Sequence, residues 1–157
     1  MDTQIDAIRE RLVGTTIDLG SLLSTDYFNH FNEVIMLLGM LPDMPEMLED
    51  VDAWEFATYC EHFDKSGLAF APLAIEAYQL APRRLRERLD KLAVQMSMLI
   101  VETRVRLRYM LEVERMDKFR EISELHSLEL QGMVDDGGAI IHGNASSSDQ
   151  SAVDALF

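Results

Sequence analysis

Val153, Leu156 and Phe157 close the stretch "SDQSAVDALF", with Asp149 and Asp154 alongside. On a helix, residues three and four apart share one edge. The chemistry on offer is therefore recognition: a short amphipathic helix laid into a partner's groove, its acids paired with basic groups. Ser146, Ser147, Ser148 and Asp149 are good N-cap types, so a helix starting there is natural. From Gln150 to Phe157 it makes only two turns, too few to hold alone because nucleation is costly. The segment is expected to order on binding. Burying three such side chains yields roughly 5–8 kcal/mol, and ordering the segment takes back about 2–5 kcal/mol. Weak, fast-exchanging binding follows.

Reactive residue types elsewhere assemble into no motif. The glycines are single apart from Gly137-Gly138, so no phosphate-cradling loop occurs, and His30, His62, His126 and His142 sit in unrelated contexts. No acid stands three residues before any histidine, which removes the Glu-x-x-His signature of di-iron bundles. Asp26 with His30, and Glu61 with His62, are the remaining metal-type ligands; they read better as a helix cap and solvated polar groups, and no cofactor or metal is implied. Cys60, the single cysteine, lies among aromatics in "ATYCEHF" and reads as a small buried hydrophobe rather than a reactive thiol. Met36, Met40, Met44 and Met47 recur at near-helical spacing. They read as core, with an adaptable peptide groove as the alternative.

The chain has 157 residues, enough for one domain with a real core. Its 28 acids against 14 bases give a formal charge of -14, which excludes the basic face a nucleic-acid binder needs. An anionic membrane surface is excluded on the same ground, and a basic partner fits better. Arg83, Arg84, Arg86 and Arg88, continued by Arg104, Arg106 and Arg108, are interleaved with apolar residues and acids, as on a solvated helix face. No apolar run reaches the ~18 residues of a membrane span, and "MDTQIDAIRERL" lacks the apolar stretch of a signal peptide. One cysteine suits a reducing compartment, so the expected location is cytoplasmic.

These residues must be positioned by helices. Ile5, Ile8 and Leu12 mark a first helix that Gly14 loosens, and Ser24, Thr25 and Asp26 offer caps for a second. There Tyr27, Phe31, Val34, Ile35, Leu38 and Leu41 form an apolar stripe, stopped by Pro42 and Pro45. "EMLEDVDAWEFATYCEHF" reads as one or two short helices with Trp54 and Tyr59 inward, closed at Ser66-Gly67; Pro72 and Pro82 bracket the next helix. Between 83 and 131 there is neither Gly nor Pro, and Leu85, Leu89, Leu92, Met96, Leu99, Thr103, Leu107, Met110 and Leu111 follow a helical period. An unbroken helix there would be about 70 Å long at ~1.5 Å per residue, whereas a domain of this size has a radius of gyration of about 15 Å. A break near 116–118 is expected, with packing against a second copy, a homodimer, as the alternative. No strand signal competes. The prediction is an all-α bundle of four or more helices over 1–134 with one long C-terminal helix. A Gly- and Ser-rich flexible linker over 135–148 follows, and then a partner-binding peptide over 149–157.

That peptide resembles the N-terminal peptide of the flagellar switch protein FliM, close to Ser-Gln-(acid)-(acid)-Ile-Asp-Ala-Leu-Leu/Phe. Gln150, Asp154, Ala155, Leu156 and Phe157 match, Val153 replaces Ile, and Ala152 departs from an acid. It is also similar to the C-terminal peptide of the chemotaxis phosphatase CheZ, which likewise follows a helical bundle and a flexible linker. The resemblance covers about nine residues. It implies docking on a CheY-like receiver domain, preferentially when phosphorylated, and hence a chemotaxis or motility regulator. A CheZ-like phosphatase activity would need a carboxamide with an acid four residues earlier, and no Gln or Asn here has one. The acid-x-x-Asn form is met by Asp26 and Asn29, which suits a helix start equally well; Gln79 and Gln95 are further carboxamides without a distinguishing context. The competing classes are a receiver phosphatase and a tail that serves as a degron or cargo address.

Overall fold

Sustained apolar periodicity becomes helix almost throughout the chain. The computed structural model describes residues 2–143, and among them there are seven α-helices, two 3-10 turns and no strand. The helices are α1 (Asp2–Leu12), α2 (Asn29–Met40), α3 (Leu48–Ala53), α4 (Tyr59–Lys65), α5 (Ala71–Leu80), α6 (Arg83–Glu112) and α7 (Met116–His142).

Ser24 caps the 3-10 turn Thr25–Phe28 that leads into α2, its hydroxyl accepting from the Asp26 amide. Asp26 is therefore not the cap; its carboxylate accepts the Thr16 hydroxyl at 2.5 Å. Behind the turn, Tyr27, Phe28, Phe31, Trp54, Tyr59 and Phe63 pack as a buried aromatic cluster. Its polar ends are satisfied: Tyr27 Oη donates to the Ala57 carbonyl, the Ser24 amide donates to Tyr59 Oη, and Trp54 Nε1 donates to the His30 carbonyl. Thr58 and Glu61 form a capping box at the start of α4, and Pro72 occupies the first turn of α5.

α6 and α7 pack along one another as a helical hairpin. The break falls at residues 113–115, slightly before the expected place and without glycine. Glu114 takes φ 56°, the Arg115 amide reaches back to the Met110 carbonyl and the Glu114 amide to that of Leu111. This is the Schellman pattern with a glutamate in the left-handed position. Arg115 then donates twice to Asp117 in the first turn of α7 and holds that carboxyl down to about 2. The buried stripe of α6 is Leu85, Leu89, Ala93, Met96, Ile100, Thr103 and Leu107. Its 4-4-3-4-3-4 spacing follows the ordinary helical period of about 3.6 rather than a strict heptad; Leu92 and Leu99, expected inside, sit at its edge.

The expected boundary at residue 135 is wrong. α7 runs on through "DDGGAIIH" to His142 and stops where Gly143 takes φ 66°. Ile140 and Ile141 are buried, and so is Gly137. A Cβ on Gly137 would lie 2.1 Å from Phe28 Cζ, so glycine there lets α7 press on an aromatic ring rather than lending slack to a linker. The rest of the expected linker, residues 144–148, lies outside the described residues.

Candidate functional site

The residues expected to bind a partner, Gln150, Val153, Asp154, Ala155, Leu156 and Phe157, all lie outside the described residues. What is described is the helical body and the grooves on its surface.

A groove of about 740 Å³ lies between α2 and the segment from α3 to α4. Met36, Leu37, Met47, Trp54 and Phe56 supply its apolar lining, and His30, His62, Glu33 and Lys65 its polar groups. This takes Met36 and Met44 out of the expected core, whereas Met47 packs partly buried against it. The inward face of α2 is taken by Phe31, Val34, Ile35 and Leu38, which leaves Met36 61% exposed; Met44, in the following turn, is also exposed. Their unbranched side chains suit an adaptable apolar lining. His30 and His62 come together across the groove mouth with ring centroids 6.0 Å apart, although they are far apart in sequence. His30 is held by the Glu55 carbonyl at 2.6 Å, and His62 lies edge-on to Tyr27. Burial, with His30 close by, lowers the pKa of His62. Nothing in the sequence spacing signals this pair, because it depends on how α2 meets α4.

The groove combines an apolar lining with polar and charged groups. Glu61 is committed to its capping box and Asp26 to Thr16, so the metal-type set of Asp26, His30, Glu61 and His62 is dispersed among other partners. No group of three metal-type ligands converges among the described residues. Ser66 donates its hydroxyl to the Phe63 carbonyl. The thiol of Cys60, partly buried rather than fully so, is pushed up by desolvation, away from the thiolate a nucleophile requires.

A second, shallower groove of about 490 Å³ brings Asp26 and Asn29 together with Asn32, Asp135 and His142. The acid-x-x-Asn pair thus opens on one surface. Gln79 and Gln95 are exposed on different helices, and Gln79 lines another groove. On α6 the apolar residues Val94, Met98, Val101, Val105 and Tyr109 are exposed on the face away from its buried stripe.

No known family model, curated protein or solved structure matches the chain. No helix among the described residues is long and apolar enough to cross a membrane.

Proposed function

We propose that this chain is a signalling regulator that captures a CheY-like receiver domain through the peptide 149–157, carried beyond the helical body. The observation that supports it is the peptide itself: Val153, Leu156 and Phe157 at helical spacing, with Gln150, Asp154 and Ala155 in the FliM-like order. The all-α body ending in a long helix agrees with the CheZ-like arrangement, and the acidic charge of -14 suits a partner with basic groups. Titration calorimetry against a receiver loaded with a phosphoryl mimic is the test. Binding should be present in the full chain and lost when 150–157 are deleted; unchanged affinity after the deletion refutes the proposal.

A second reading, receiver phosphatase, is favoured by one observation: Asp26, Asn29 and Asn32 line one groove. A carboxamide there would orient the attacking water and the acid would engage a receiver lysine. It predicts faster loss of the receiver's acyl phosphate, abolished by Asn29→Ala with binding intact. A tail acting as a degron or cargo address remains the third class, read out by the lifetime or loading of a fused reporter.

A further inference from the structure

The end of α7 opens directly onto an apolar surface with a basic rim. Leu85, Ile140, Ile141 and Gly143 line one cavity of about 320 Å³, together with Arg9, Asp18 and Gly20. A second cavity of about 320 Å³ shares Arg9 and Gly20 with it and continues over Ile5, Leu22, Leu80 and Pro82 to Arg83 and Arg86. The two adjoin at Arg9 and Gly20, and together their aliphatic linings make up a trough. Gly143, the last described residue, stands in its wall.

The trough is basic in an acidic protein. Arg86 is the most telling member: its guanidinium lies 5.6 Å from the ring centre of Tyr78, and its buried Nε has no hydrogen-bond partner among the described residues. A buried charged donor left unpaired is costly, and an arriving carboxylate would satisfy it. The rest of the rim is largely paired. Asp18 accepts from the Gly20 and Ser21 amides and from His142, Arg83 pairs with Glu87, and Arg9 lies 3.9 Å from Asp6 and donates to the Leu19 carbonyl, which leaves Arg86 as the rim arginine without an ion-pair partner among the described residues.

We infer that the trough is the docking site of the chain's own 149–157 segment, with Val153, Leu156 and Phe157 on the aliphatic floor and Asp154 against Arg86. Length permits it: six residues from Asn144 to Asp149 span at most ~20 Å, and the chain enters the trough at Gly143 itself. A linker this short holds the peptide at about millimolar effective concentration. A contact of only millimolar strength between separate molecules would then be about half occupied. Chemistry agrees as well, since an acidic, apolar peptide meets a basic, apolar surface.

The docking does not depend on the receiver proposal, because no receiver takes part in its test. Amide NMR spectra of the full chain are compared with those of Leu156→Asp/Phe157→Asp, a change outside the described residues. Resonances of Gly20, Leu22, Ala81, Leu85 and Ile141 should shift between the two, and the difference should persist on dilution. Arg86→Asp should lower the docking equilibrium constant about fivefold, taking a half-docked tail to about one-sixth, the scale of an ion pair at a partly exposed site. Adding Asp154→Arg to Arg86→Asp should restore docking, which a variant that merely disturbs the fold would not do. Coincident spectra of the full chain and the tail variant overturn the inference. So does a difference that vanishes on dilution, which would assign the trough to the tail of a second copy. If docking is confirmed and the receiver titration fails, only the receiver proposal falls.

Discussion

Gly137→Ala tests most directly how α7 is held against the body. In an open stretch of helix this change is favourable by about 1 kcal/mol, because alanine loses less backbone freedom on folding. Here the added Cβ would meet Phe28 Cζ at 2.1 Å and both Cε atoms at 2.8 Å. Carbon atoms prefer a separation of about 3.5–4.0 Å, so ring or helix must yield by more than about 1 Å. The ring has little room: Phe28 is 2% exposed and packed against Tyr27 and Phe31. Overpacking of this kind costs about 1–3 kcal/mol, and a contact this short belongs at the upper end. Subtracting the helix-propensity gain leaves a net loss of about 2 kcal/mol, or a Tm about 4–8 °C lower. Gly138→Ala is the internal control. A Cβ there meets nothing within 4 Å, so the same substitution one residue on should raise Tm by about 2–4 °C. Thermal unfolding followed by far-UV circular dichroism reads both. In a Phe28→Ala background, Gly137→Ala should turn stabilising, the mark of direct coupling. If Gly137→Ala and Gly138→Ala raise Tm alike in the parent chain, the close approach of α7 to Phe28 is refuted.

Two further outcomes concern the seam between α3, α6 and the His30–His62 groove. Arg104 donates to the carbonyls of Val51, Asp52 and Trp54 at 3.3, 3.4 and 2.9 Å, closing the C-terminal end of α3. Arg104→Met keeps much of the aliphatic bulk and removes the donors, so urea unfolding should show a loss of about 1.5–3 kcal/mol, the range for hydrogen bonds to charged groups. His62 carries a lowered pKa in the folded state, so on unfolding the ring returns towards its ordinary value of 6.5 and takes up a proton that the fold resists. Its contribution is thus present above that value and is lost as pH falls through it. Tm measured against pH should decline more steeply below about 6.5 in the parent than in His62→Gln; parallel curves would contradict this.

The legible part of the fold was whatever depended on local pattern. The stripe Phe31, Val34, Ile35, Leu38 on α2, a cap within 24–26, the prolines bracketing α5 and the need for a break in 83–131 all follow from side chains within a few residues of each other. What escaped depends on distant partners. "DDGGAII" has a linker's composition, and only Phe28, more than a hundred positions earlier, explains why glycine is wanted in that helix. Met36 looked like core because it neighbours apolar residues, yet its position on α2 turns it outward once the opposite face is filled. The Arg86 trough likewise comes from α1, α5, α6 and α7 meeting at one end, and no run of residues announces it.

The contact of Gly137 with Phe28 also acts as a datum point. Sliding α7 by one turn would bring Met133 or Ile141 opposite that ring, and neither leaves the space that glycine does. The helix is therefore pinned in both axial position and rotation, within two turns of its last residue. Whatever 144–157 engages is measured from an origin that does not drift. Adding or removing residues after Gly143 should change its reach in countable steps, as lengthening a cord changes the reach of a weight tied to a fixed peg.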